Sequence, residues 1–157
     1  MPAIRTVDEL VQALEAGPGT EGYVSILQRV DIPIEGFSAF CRWNDKHYTR
    51  TCIARTADFE LLLICYGPGQ RTSIHDFDTE EAWVRPVLGS IVEERFELDA
   101  KGELVLMQTS ILEQGSFSHL AHGHSIHRYT NAGSDRVATL NLYAKPLVKW
   151  KVYEERA

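Results

Sequence analysis

"GPGQRTSIHDF", residues 67–77, decides how the chain is read. Gly67, Pro68 and Gly69 mark a tight turn, and the residues behind it read as a short strand that carries His75. No helical pattern follows the glycines, so the segment is not a phosphate-binding loop. Its job is to aim His75.

On both sides of this turn the texture is that of strands. "YTRTCIAR" (48–55), "FELLLICYG" (59–67), "AWVRPVLGSIVEERFEL" (82–98), "GELVLMQTSIL" (102–112), "HSIHRYTN" (124–131), "RVATLNLYA" (136–144) and "LVKWKVY" (147–153) are rich in Val, Ile, Leu, Thr and Tyr. The turn signals "GPGQ", "DAKG", "EQGS" and "NAGSD" separate them. Before residue 48 the pattern is helical. "TVDELVQALEAG" (6–17) carries Thr6 and Glu9 at capping-box spacing, apolar residues at Val7, Leu10, Val11 and Leu14, and a terminating Gly17. "EGYVSILQRV" (21–30) and "EGFSAFCRW" (35–43) are two further short amphipathic segments around the breaker Pro33. A small helical cap followed by many short strands predicts a β-sandwich or small barrel, not a βαβ fold.

The 157 residues correspond to one ordinary domain. With 16 basic and 22 acidic residues the net charge is −6, and no basic stripe interrupts that balance. Nucleic acid and anionic membrane are therefore not expected partners. The longest apolar run, "LLLICY", is too short to span a bilayer, and the N-terminus lacks the unbroken apolar stretch of a signal peptide. Cys41, Cys52 and Cys65 are an odd number and read as reduced core thiols, which predicts a cytoplasmic protein. The three tryptophans read as core and barrel-rim packing.

Six histidines are the chemically distinctive content: His47, His75, and the group His119, His122, His124 and His127. A lone histidine reads as a surface residue or a satisfied core side chain. His75, after its turn, and His127, in "SIHRYTN", read differently. Two imidazoles projecting inward from neighbouring strands of a barrel make a rigid platform for a divalent metal.

"GPGQRTSIHDF", "VLGSIVEERF", "SIHRYTN" and "ATLNLYAKPL", in this order and preceded by "YTR" at 48–50, resemble the cupin superfamily and, within it, the cysteine dioxygenase type I family of thiol dioxygenases. The resemblance covers residues 40–147. It implies a mostly β, cupin-type barrel (jelly roll) behind a small N-terminal helical cap, with residues 1–157 as a single domain, cap 1–45 and barrel 46–157. It further implies oxidation of a small thiol carboxylate, cysteine or an analogue, to its sulfinate by O2 at a mononuclear non-haem Fe(II). A monomer or weak homodimer is expected.

In that family an H-x-H pair and a later histidine hold the iron. His75 matches the first ligand and His127 the third, but Phe77 stands where the second belongs. A phenyl ring offers no lone pair, so the three-histidine set cannot form. Ala82 replaces the cysteine or glycine of the family, which rules out a thioether crosslink to tyrosine. Asn141 stands where mammalian members carry histidine, while Tyr143, the pocket tyrosine, is kept. Many cupins add a glutamate shortly after H-x-H, and Glu81 holds such a spacing, with Asp78 and Glu80 nearby. His75, Glu81 and His127 would form a two-histidine, one-carboxylate site, unless "DTEE" is a solvated acidic turn. Only one of Glu80 and Glu81 can face inward. His122 and His124 are expected to fill a polar barrel mouth, or to swing in as a substitute ligand.

Arg50 matches the family arginine that binds the substrate carboxylate, a role suited to a planar, bidentate guanidinium. Tyr48 and Tyr143 would offer hydroxyl groups to the ligand, and Phe77 and Asn141 would shape its pocket. Two alternatives remain: a metal-poor cupin that binds a small carboxylate without thiol oxidation, and a cupin holding zinc or nickel for different chemistry.

Overall fold

The structure is a computed structural model that describes residues 2–77 and 79–153, with only the backbone of Trp150. Asp78 therefore lies outside the described residues. Helix α1 spans Val7–Glu15, α2 spans Tyr23–Gln28, and a 3-10 helix covers Ile34–Phe40. Thr6 caps α1 as its sequence predicts, its hydroxyl accepting from the Glu9 N–H at 3.1 Å. The Glu9 carboxylate reaches back to the Arg5 N–H, one residue before the cap. Gly17 ends the helix with φ of 100°, a conformation that favours glycine. Val7, Leu10 and Leu14 form the buried stripe of α1.

Ten strands follow among the described residues: β1 Thr49–Arg55, β2 Phe59–Tyr66, β3 Ile74–Phe77, β4 Glu81–Leu88, β5 Ile91–Leu98, β6 Leu104–Leu112, β7 Ser118–Ala121, β8 His127–Thr130, β9 Val137–Ala144 and β10 Trp150–Tyr153. They form two antiparallel five-stranded sheets, ordered β1-β2-β9-β4-β7 and β10-β3-β8-β5-β6. This is the expected mostly β, jelly-roll architecture with helices confined to the N-terminal side.

Two apolar layers result, and β2 is buried between them. Leu61, Leu63 and Cys65 face outward and pack with Leu140, Leu142, Trp83 and the helices. Leu62, Ile64 and Tyr66 face inward and pack with Phe77, Ala82, Val84, Tyr129 and Tyr143. "FELLLICY" is apolar throughout because neither face meets water. Each such leucine contributes about 1.5–3 kcal/mol from burial. On β9 the same alternation sends Leu140 and Leu142 to the helical side, and Thr139, Asn141 and Tyr143 to the interior. The interior thus acquires a polar wall.

The thiols are free, but only Cys65 is fully buried; Cys41 is half-buried and Cys52 is exposed on the edge strand β1, correcting the expectation of three core thiols. No helix among the described residues is long and apolar enough to cross a membrane.

Candidate metal and ligand site

The turn before β3 is held from across the barrel. Gly69 adopts φ of 78°. The fully buried Asn131 donates its side-chain N–H groups to the carbonyls of Tyr66 (3.1 Å), Gly67 (3.0 Å) and Asp135 (2.8 Å). The Gly69 N–H in turn donates to the Asn131 carbonyl at 2.9 Å. With the turn anchored, β3 enters beside β8, and His75 and His127 become direct antiparallel partners. Their ring centroids are 4.4 Å apart.

Both rings are oriented by main-chain carbonyls. Nδ1 of His75 lies 2.9 Å from the Ser73 carbonyl and Nδ1 of His127 lies 2.5 Å from that of Ser125. A carbonyl only accepts, so each Nδ1 carries the proton and each Nε2 keeps its lone pair. Burial lowers the His75 pKa, with Arg50 adding to the effect and the Ser73 carbonyl opposing it. His127 falls well below the usual histidine range because it is buried and beside His75. Both imidazoles are neutral near pH 7, the form in which histidine binds metal.

Phe77 occupies the third corner. Its buried ring is 5.0 Å from His127, 5.8 Å from His75 and 5.3 Å from Tyr143, centroid to centroid. It backs the histidines instead of joining them as a donor.

The two histidines border a cavity of about 80 Å³, whose walls also include Tyr48, Arg50, Asn141 and Tyr143, with Phe77 packed behind them. That volume suits a molecule of a few heavy atoms. Tyr143 is buried, and Arg50 donates a hydrogen bond to its hydroxyl. Burial raises the Tyr143 pKa, and the Arg50 charge pulls it back. Arg50 itself is exposed and stands at the rim of the cavity. Tyr48 stacks on Tyr66, centroids 5.6 Å apart. Asn141 donates to the carbonyl and hydroxyl of Thr139, both at 2.9 Å.

Glu81 is not with them. On β4 it is Ala82 that turns inward, opposite Tyr143, which sends Glu81 and Trp83 to the other face. There the Glu81 carboxylate meets Nε2 of His119 at 3.2 Å, and His119 stacks on Trp83. The expectation of Glu81 as a metal ligand is corrected by this register, and Glu80 is exposed as well. His122 and His124 are exposed too and do not fill the barrel mouth; His124 lies 3.9 Å from Glu97. Among the described residues, no cluster of three or more His, Cys, Asp and Glu side chains could hold a metal ion. The donor set fits a divalent metal held by two imidazoles, with its other positions left to ligand and water. It does not fit the three-histidine arrangement.

Sequence reasoning missed Tyr129 and Glu93. Tyr129 borders the cavity, 5.1 Å from His127, and donates its hydroxyl to the buried Glu93 carboxylate at 2.6 Å. Arg95 pairs with Glu93 at 2.8 Å and also donates to Ser118 and the His119 carbonyl. The signal was faint: "EER" reads as an ordinary charged strand end.

Residues 3–156 match the model of the family described as cysteine dioxygenase type I. The chain belongs to that family. Cysteine dioxygenase type 1 from Homo sapiens is 22% identical over 161 residues, spanning 97% of this chain and 80% of the human protein. The Rattus norvegicus protein of the same name is 23% identical over the same shares. Among solved structures, a double-stranded β-helix protein from Klebsiella pneumoniae superposes with TM-score 0.62 at 14% identity, covering 75% of this chain and 88% of its own. A cupin superfamily protein from Desulfitobacterium hafniense gives TM-score 0.54 at 13% identity, covering 69% and 87%. Those two likenesses establish the cupin fold. Family and fold together make this member of the cysteine dioxygenase type I family a thiol dioxygenase-like cupin.

Proposed function

We propose that the protein oxidises a small thiol carboxylate, cysteine or a close analogue, to its sulfinate with O2, at an Fe(II) held by His75 and His127. The observation that carries this reading is the pair of neutral imidazoles whose Nε2 lone pairs are free beside Arg50 and Tyr143. Bound iron would supply the redox chemistry that lets a thiolate react with molecular oxygen. In the net reaction, R–S⁻ + O2 gives R–SO2⁻: both oxygen atoms end on sulfur and the sulfur alone is oxidised.

The chain's own residues do the binding and orienting. The Arg50 guanidinium receives the carboxylate at the rim, a charge-assisted contact that sets one end of the ligand. That anchor directs the sulfur toward the histidine pair deeper in the cavity. The Tyr143 hydroxyl, held in the phenol form by burial, is placed to donate a hydrogen bond to the reacting end. Phe77 and Tyr129 give the histidine end an aromatic backing that excludes water. The small cavity selects short ligands. Cytoplasmic residence and a monomer or weak homodimer belong to the same proposal.

A second reading is favoured by one observation, the Phe77 ring where a ligand belongs: a cupin that binds the same small carboxylate without metal or oxidation. One experiment separates the two. The protein is supplied anaerobically with Fe(II) and cysteine or 3-mercaptopropionate, then exposed to O2 while oxygen uptake and sulfinate are followed. Iron-dependent formation of one sulfinate per O2 supports the oxygenase. Binding of the thiol acid without oxygen uptake supports the metal-free binder.

A further inference from the structure

We infer that Asp76, the residue between His75 and Phe77, is a positioning residue that clasps the two histidine strands together and fixes the tautomer of His127. The inference rests on the reading of His75 and His127 as a metal pair. Among the described residues, β3 and β8 pair through His75 and His127, and the Thr72 N–H donates to the Tyr129 carbonyl at 2.9 Å just ahead of β3. Asp76 supplies a further tie. Its Oδ1 accepts from the Phe77 N–H at 2.7 Å and from the Ser125 hydroxyl. Ser125 is fully buried, and its carbonyl accepts the His127 Nδ1–H.

A continuous chain thus runs from the Asp76 carboxylate through Ser125 to the His127 ring. One carboxylate oxygen holds the main chain on one side of the pair and the orienting carbonyl on the other. Partners of this kind, one step behind a metal-binding histidine, set ring orientation and tautomer, and losing one typically weakens metal affinity about 10- to 100-fold. The need is greater here because two donors have to do what three do elsewhere in the family. Asp76 points away from the cavity, since its neighbours His75 and Phe77 point in. It touches neither ligand nor metal.

The test uses Asp76→Ala, Asp76→Asn and Ser125→Ala in the full chain, with two readouts. Histidine ring ¹⁵N spectra report the His127 tautomer without any metal, and anaerobic titration with Fe(II) or Co(II) reports affinity. Wild type should show a single Nδ1–H tautomer for His127. Asp76→Ala and Ser125→Ala should lose that single tautomer and bind metal at least about tenfold more weakly. Asp76→Asn keeps the accepting oxygen and should restore both. Ser125→Ala leaves the carbonyl in place and removes one hydroxyl, so it keeps the test sound if Asp76→Ala folds poorly. If Ser125→Ala keeps the single tautomer, the inference is overturned. If wild type binds no metal yet the variants lose the tautomer, the positioning role stands and the metal reading falls.

Discussion

The Phe77 ring sits 5.0 Å from that of His127 and 5.3 Å from that of Tyr143, in the same buried layer as Tyr129 and Tyr143. Its ring lies beside both histidine rings, 5.8 Å from His75 and 5.0 Å from His127. Phe77→His should therefore add a third imidazole without repacking the strand. Fe(II) affinity should rise at least about tenfold, because each added donor removes a water and tightens the chelate. Anaerobic titration of both proteins at one pH measures it, and equal affinities would mean that another group already completes the site.

Arg50 should discriminate by carboxylate. Because the guanidinium is exposed, its contribution is that of a partly solvated charge pair, about 1–2 kcal/mol, and not that of a buried one. Arg50→Ala is expected to weaken cysteine or 3-mercaptopropionate by roughly five- to thirtyfold, the fold-change equivalent of that energy. Cysteamine, which lacks the carboxylate, should be nearly unaffected. Calorimetric titration of both ligands decides it, and equal losses would show Arg50 supporting Tyr143 or the strand, not the ligand.

Asn131 should matter more to stability than any residue of the cavity wall. Its buried side chain donates to three carbonyls and accepts from the Gly133 N–H at 3.1 Å, the bond to Tyr66 buried and the others part-buried. Asn131→Ala leaves those groups without partners, at an expected cost of about 2–4 kcal/mol. Urea unfolding monitored by circular dichroism gives the value. A loss below about 1 kcal/mol would show that the turn before His75 holds itself.

Much of this was legible in the chain itself, and the exceptions have physical causes. The turn at 67–70 and the strand after it could be read because glycine and proline punctuate locally. Strand β7, "SHLA", could not: four residues with two polar side chains show no period, and they pair only because β4 offers an edge. The direction of Glu81 was hidden for a related reason. Ala82, Trp83 and Val84 are apolar in succession because β4 is covered on both faces, so alternation gave no sign of which side was interior. Only the register of Ala82 opposite Tyr143 reveals it. Tyr129 became a cavity wall, with Glu93 behind it as its hydrogen-bond partner, through cross-strand pairing that no local pattern announces.

The two-histidine centre is tested most directly by equilibrium binding of Fe(II) under anaerobic conditions, with thiol acid present. The measurement compares wild type with His75→Ala, His127→Ala and Glu81→Ala. The expected result is one iron per chain in wild type, none retained by either histidine variant, and binding by Glu81→Ala within about twofold of wild type, since its carboxylate faces His119 on the far side of the sheet. Iron that stays bound without His75 or His127, or that is lost with Glu81, would contradict the account.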